Sequence, residues 1–157
     1  MFLVGERVVY PMYGAGMIAE IKESEILGEK KSYYVLKIPY RDIKIMVPVE
    51  NSERIGIRSI VAPEEIPRVI RTLKEASSAM SANWNRRYRE NTEKLKSGRL
   101  EQVAEVVRNL LRADRIRKLS AGEKKMLTDA RQILVSELIV AGGIEADAAQ
   151  AMIDETV

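Results

Sequence analysis

The sequence contains no cysteine and no histidine, and these two absences exclude several classes of site. Without cysteine, neither a disulfide framework nor a thiolate metal site can form. Without histidine, the chain lacks the commonest general acid–base group and the commonest transition-metal ligand. No nucleophile–base pair or ligand cluster can be named among the remaining residues. We therefore expect a protein that is not an enzyme and that carries no metal and no cofactor.

Long hydrophobic runs are also missing from the chain. No apolar segment approaches the roughly 20 residues that a membrane-spanning helix needs. The N-terminal residues MFLVGERVVYP lack the basic region and the long apolar segment of a signal peptide. We therefore expect a cytoplasmic protein with no membrane partner. With 157 residues, of which 46% are apolar and 31% charged, the composition is that of a folded protein with one or two domains.

The formal net charge is only +3, but the charged residues are unevenly distributed. Residues 67–99 contain nine Lys or Arg against three Asp or Glu, and residues 108–131 contain eight against three. Residues 132–157 contain no basic residue and five acidic ones. A basic middle favours a polyanionic partner. The alternative is a helical surface whose long basic side chains are simply solvated.

Residues 1–60, which we call the β module, have the pattern of short strands. The segments RVVYP, MIAEIKES, SYYVLKI and KIMVPV are rich in β-forming residues and are separated by short turns. They predict a small antiparallel β-barrel of four or five strands. Pro48 predicts that its strand lies at an edge, because proline cannot donate to the ladder. An apolar edge favours either protein docking by strand addition or burial under the rest of the chain.

The segment YGAGM is the one place in the β module that resembles a nucleotide-binding motif. Gly14 and Gly16 follow a predicted strand, as in a dinucleotide fingerprint. No third glycine follows at the right spacing, and no helix opens after the pair. We therefore interpret the two glycines as a turn that needs unusual backbone angles.

Residues 61–157, which we call the helical module, have a helical period and predict about five helices packed compactly. The sequence SAGE predicts a capping box, in which Ser120 caps a helix and Glu123 reaches back to the Ser120 N–H. Gly142 and Gly143 predict the end of that helix, and a short acidic helix follows. The fold class is therefore α+β.

The stretch NWNRRYREN, residues 83–91, combines the only tryptophan with three arginines. Asn83 is a good N-cap, so Trp84 falls in the first turn of a helix. Trp84, Tyr88 and Leu95 lie near one helical face, at intervals of four and seven residues. That spacing favours burial in a core. An aromatic ring among arginines instead favours nucleic acid, with the ring as a stacking or wedging surface. The pattern alone leaves both interpretations open.

Six segments, in order and at matching spacing, resemble the bacterial CarD/CdnL family of transcription regulators. They are VGERVVYPMYGAG, YYVLKI, MVPVEN, NWNRRYRENTEKLKSG, VAEVVRNL and LSAGEKKMLTDARQILVSEL. The resemblance covers nearly the whole chain. The β module is also similar to the RNA-polymerase-interacting domain of the transcription-repair coupling factor.

The resemblance implies a regulator that is not an enzyme. A Tudor-like or SH3-like N-terminal domain, residues 1–60, would bind the β subunit of RNA polymerase. A helical DNA-binding domain, residues 61–157, would contact promoter DNA at the upstream edge of the melted bubble. There the tryptophan would wedge into the minor groove, largely without sequence specificity, and stabilise the open complex, notably at ribosomal RNA promoters. The matching DNA-binding positions are Trp84, Arg86, Arg87, Arg89, Lys124 and Lys125, and the matching polymerase-binding positions are Ile26, Val35, Met46 and Pro48.

One departure from the family changes the expected docking. Some relatives have arginine where Ser24 and Met46 stand here, so we expect a more apolar and less salt-sensitive contact with the polymerase. We expect a monomer, with exchange of strands between two β modules as the route to a dimer. The alternative function is a protein-interaction adaptor that makes no direct contact with DNA.

Overall fold

The computed structural model describes residues 1–157 and contains an antiparallel sheet followed by helices, which confirms the α+β class. The sheet order is β4-β3-β2-β1-β5, so Pro48 lies on an edge strand, as predicted. The ends of this order, β4 and β5, are not paired with each other. The strands are β1 Arg7–Tyr10, β2 Gly14–Ile26, β3 Glu29–Ile38, β4 Ile43–Pro48 and β5 Arg58–Ser59.

The two faces of the sheet have different roles, because side chains alternate along each strand. One face covers a small apolar core formed by Val8, Ile18, Tyr34, Leu36, Ile38, Val47 and Ile57. The opposite face, which we call the outer face, carries the residues paired across the strands with Tyr33, Val35 and Lys37. A four-residue helix, α1 Ser52–Ile55, connects β4 to β5.

Five further helices follow, in agreement with the predicted number. They are α2 Ile66–Lys74, α3 Trp84–Lys96, α4 Leu100–Ile116, α5 Ala121–Gly142 and α6 Ala146–Thr156. Asn83 caps α3 by accepting the N–H of Arg86 at 2.9 Å, and Ser120 caps α5. A cluster of 17 buried apolar residues forms the helical core. No helix is long and apolar enough to span a membrane.

Helix α5 joins the sheet to the helical core through two consecutive residues. Ser136 Oγ accepts the N–H of Ala15 at 2.9 Å. Glu137, only 1% exposed, accepts two hydrogen bonds from the Arg58 guanidinium at 2.7 and 2.9 Å. It also accepts the N–H of Val61 at 3.2 Å. A buried carboxylate needs such partners, so the two modules are held together by satisfied polar contacts as well as by packing.

The glycines of YGAGM lie where other parts of the chain approach closely, Gly14 against α5 and Gly16 against the neighbouring strand. Gly14 has φ +120°, and a Cβ there would lie 2.6 Å from Ser136 Oγ. A Cβ on Gly16 would overlap the carbonyl oxygen of Lys37 on the neighbouring strand. Both positions exclude side chains because backbone and helix approach closely. The segment therefore has a structural explanation that requires no phosphate.

Candidate nucleic-acid interface

Trp84 is the first residue of α3 and is 42% exposed. Its indole stacks on the ring of Tyr88, one turn later, with centroids 5.1 Å apart and planes 17° from parallel. Leu95, two turns further on, is buried in the helical core. The helix is thus anchored by Leu95, while the indole lies at its free end.

The first turn of α5 packs against the same indole. Trp84 Nε1 donates to Ser120 Oγ at 3.0 Å. A Cβ at Gly122 would lie 3.3 Å from Trp84 Cζ2, so the absence of a side chain there lets the ring lie close to the helix. Trp84 is therefore neither a core residue nor a free one: three neighbours fix its orientation and leave part of its surface open.

Arg87 is engaged inside the protein. Its Nε and Nη2 donate to the two carboxylate oxygens of Glu123 at 2.8 and 3.0 Å, and its Nη1 donates to the carbonyl of Ser81 at 3.0 Å. Glu123 is only 4% exposed, and hydrogen bonding from Arg87 lowers the pKa of its carboxyl. The capping box therefore forms only in part. Ser120 Oγ accepts the Glu123 N–H at 3.3 Å, but the Glu123 carboxylate pairs with Arg87 instead of returning to the backbone.

The other four predicted DNA-binding residues lie at the surface near the starts of α3 and α5. Arg86 pairs with the exposed Glu90 at 2.8 Å, and Lys125 pairs with Asp129 at 2.9 Å. Exposed pairs one helical turn apart contribute little, so both cations remain accessible to an anion. Arg89 and Lys124 have no carboxylate partner.

Much of the remaining basic charge is used to hold the fold. Arg108, 2% exposed, donates to the carbonyl of Thr72 and to Ser78 Oγ, both at 2.8 Å. Burial lowers the pKa of its guanidinium. Arg112 donates to the carbonyl of Leu73 at 3.1 Å, and these bonds fix the segment that leads to α3. Charge counting overstated the polyanion signal, because a sequence does not separate free arginines from those that bind carbonyls.

Two basic residues that sequence reasoning missed share a cleft with Trp84. Arg117 and Lys118, in the α4–α5 connection, are exposed and make no ion pair. The overall basic count of residues 108–131 included them, but no helical periodicity or motif singled them out.

The four predicted polymerase-binding residues all belong to the outer face of the sheet. Met46 pairs with Val35, and Pro48 pairs with Tyr33. Met46 and Ile26 are about half exposed, Pro48 is partly buried, and Val35 is only 2% exposed. The face thus offers Met46 and Ile26 directly, while Val35 supports Met46 from the neighbouring strand.

Two apolar residues of the β module add to its exposed surface and were missed. Met17 is half exposed and belongs to the outer face through its pairing with Lys37. Leu27 is 99% exposed at the tip of the β2–β3 hairpin, where its φ is +54°. A leucine in the left-handed region is uncommon, because the turn conformation suits glycine or asparagine.

Two family models match the chain, one over each module. Residues 2–61 match the CarD-like/TRCF RID domain, and residues 68–154 match the CarD C-terminal domain. The chain belongs to the CarD family. The protein named "Putative transcription factor YdeB" from Bacillus subtilis (strain 168) is 38% identical over 144 residues, which cover 92% of this chain and 94% of that protein. The family predicted from the sequence motifs is confirmed.

In this CarD family member, each candidate surface falls within one of the two matches. The CarD C-terminal match contains the stacked pair Trp84–Tyr88 and the basic residues around it. The CarD-like/TRCF RID match contains the outer face of the sheet. The stretch between the matches, residues 62–67, contains the single turn that precedes α2.

Proposed function

We propose that this CarD family protein is a transcription regulator that binds RNA polymerase and promoter DNA at the same time and stabilises the open complex. It acts by binding and does not catalyse a reaction. The observation that carries the proposal is the half-exposed indole of Trp84, fixed by Tyr88 and Ser120 among basic residues. The sheet would bind the polymerase β subunit, and the helical module would contact the upstream edge of the bubble.

A fixed indole is suited to wedging between base steps in the minor groove. Unstacking one step costs about a few kcal/mol, which the protein must recover from contacts made after insertion. The Ser120 hydrogen bond and the Tyr88 stack hold the ring before DNA arrives, so little side-chain freedom is lost on binding. Sequence preference then arises from how easily the step deforms.

Arg86, Arg89, Lys124 and Lys125 supply the phosphate contacts in this scheme. A few such contacts give only weak non-specific binding, with Kd on the order of 10⁻⁴ to 10⁻⁶ M at physiological salt. When the protein is held on the polymerase, the effective concentration of the DNA can reach roughly millimolar, and weak contacts suffice. Arg87 supports the site indirectly, because its pairing with Glu123 joins the starts of α3 and α5.

The outer face of the sheet supports docking on the polymerase β subunit. Its accessible side chains are apolar at Ile26 and Met46, with Pro48 beside them on the edge strand. Neither Ser24 nor Met46 is an arginine, so the contact should depend weakly on salt. A steep loss of β-subunit affinity between low and moderate salt would contradict this part of the proposal.

Promoter-opening kinetics with polymerase test the proposal directly. Trp84→Ala should bind polymerase as the wild type does but shorten the lifetime of the open complex. Met46→Glu changes an exposed side chain on the outer face, so it should fold normally yet lose both polymerase binding and the effect on lifetime. Unchanged lifetimes with Trp84→Ala would refute the wedge.

The internal use of arginines supports one alternative function, which the emission of Trp84 tests. Arg87, Arg108 and Arg112 all bind groups within the protein, which favours an adaptor that contacts only proteins. An adaptor would leave Trp84 emission unchanged when promoter DNA is added to the polymerase complex. A wedge would be quenched by the bases.

A further inference from the structure

A cleft of about 650 Å³ lies beside Trp84, between the segment that leads into α3 and the α4–α5 connection. Its walls are largely apolar and include Met80, Trp84, Ala113, Ile116 and Leu119. Ile116, at the end of α4, is 88% exposed and adds apolar surface to this lining. The volume lies within the range of about 300–1,000 Å³ typical of small-molecule pockets.

The charges around this cleft favour a ligand that combines a negative charge with a flat apolar ring. Arg117 and Lys118 line it, are exposed and make no ion pair. The one carboxylate in its lining, Glu123, is neutralised by Arg87 through two hydrogen bonds. The cleft therefore combines an aromatic wall and an apolar floor with unopposed positive charge. That combination matches the recognition of unpaired nucleotides, in which bases stack on aromatic rings and cations bind the backbone.

We propose that the cleft accepts a single unpaired DNA base, stacked beside Trp84, with its phosphate at Arg117 and Lys118. The inference rests on the proposed function, because a wedge that opens a base step leaves one base unstacked next to the indole. A site for the displaced base retains stacking energy that the step loses. The indole is then both the wedge and one wall of the site.

The single tryptophan makes occupancy of the cleft measurable in the full-length protein. Three DNAs of one sequence are titrated at low salt while Trp84 emission is followed: a duplex, a fork with one unpaired base at the junction, and the same fork with an abasic residue there. The abasic fork keeps the phosphates and lacks only the base. We expect the fork to bind at least about fivefold tighter than the other two, the lower end of base–aromatic stacking.

Two variants distinguish binding of a base in the cleft from binding of DNA to the surrounding basic residues. Ala113→Met adds a larger side chain to the lining of the cleft and should abolish the preference for the fork while leaving duplex affinity unchanged. Ile116→Glu, at a side chain too exposed to affect folding, should do the same by adding a negative charge near the base. Arg54→Ala removes an exposed cation from the β module and serves as the matched control, with the preference intact.

The outcomes distinguish this inference from the proposed function. Equal affinity for the fork and the abasic fork would overturn the base site, even if Trp84→Ala still shortens open-complex lifetimes. Retention of the fork preference by both Ala113→Met and Ile116→Glu would overturn it as well. If Trp84→Ala leaves lifetimes unchanged, the wedge itself fails, and the base site fails with it.

Discussion

Arg87→Met should destabilise the fold strongly, although Arg87 belongs to a stretch that matches a DNA-binding motif. The substitution removes the cation from a carboxylate that is 4% exposed and breaks hydrogen bonds of 2.8 and 3.0 Å. Removing one partner of a buried pair costs about 3–5 kcal/mol. The Arg87 side chain is 20% exposed, so water reaches the pair, and we expect about 2–4 kcal/mol. At this chain length that corresponds to a fall in Tm of about 5–15 °C.

The destabilisation caused by Arg87→Met should depend on pH in one direction. Hydrogen bonding from Arg87 lowers the pKa of Glu123 in the folded state below its value in the unfolded chain. The pair therefore contributes stability above the ordinary glutamate pKa of about 4.3, and that contribution is lost as the pH falls through the folded-state pKa. The difference between wild type and Arg87→Met should be full at pH 7 and should narrow in acid.

Urea unfolding followed by far-UV circular dichroism, at pH 7 and near pH 3, measures both effects. Arg86→Met is the matched control, because Arg86 pairs only with exposed Glu90 and should change the free energy of unfolding by under about 0.5 kcal/mol. Adding Glu123→Gln to Arg87→Met should restore part of the loss, since no charge is then left buried. If Arg87→Met and Arg86→Met unfold at the same urea concentration, the structural role of Arg87 is refuted.

Three further substitutions test the close packing of Gly16, the ion pair of Arg58 with Glu137, and the position of the Trp84 indole. Gly16→Ala should cost about 2–3 kcal/mol in urea unfolding, since its Cβ would meet the Lys37 carbonyl, which as backbone cannot move aside. Arg58→Ala should cost about 2–4 kcal/mol by leaving buried Glu137 without its cation, and a loss under 1 kcal/mol would show that the pair is dispensable. Gly122→Ala should leave the free energy of unfolding nearly unchanged, but its Cβ would lie 3.3 Å from Trp84 Cζ2 and should shift the indole, seen as a change in its emission and quenching.

The fold was largely predictable because its signals are local. Asn83, Ser120 and Gly143 mark helix ends through contacts with their own neighbours in sequence, and the structure confirms each of these positions. Pro48 identified an edge strand from its missing N–H alone. Such features depend on a few adjacent residues, so the sequence contains them directly.

The site was only partly predictable because its contacts join distant segments. Arg87 meets Glu123 across 36 positions, and nothing in NWNRRYREN distinguishes it from its neighbour Arg86. Arg117 follows the last residue of α4, so no helical periodicity predicts that it lies beside Trp84. Val35 is apolar, as is the half-exposed Met46 beside it, but Val35 is covered in the folded sheet. Tertiary packing decides which of several similar side chains is free.

The role of the acidic C-terminal helix also depends on tertiary packing. Its sequence alone does not say whether it covers the core or pairs with basic residues. The structure shows both: Ala149 and Ile153 are buried in the helical core, and Asp154 accepts from Arg131 at 2.6 Å. The charge asymmetry of the sequence is thus partly cancelled within the fold.

Helix α5 also fixes the distance between the indole of Trp84 and the sheet that carries the second candidate surface. Ser120, at its start, bonds the indole of Trp84, and Ser136 and Glu137 bond the sheet. At 1.5 Å per residue, the 17 steps from Ser120 to Glu137 span about 25 Å. One continuous helix therefore sets both the distance between these two contacts and their relative rotation, without a flexible linker between them. Inserting a single residue into it would lengthen that distance by about 1.5 Å and turn one end against the other by about 100°. The protein would keep both surfaces and lose their alignment.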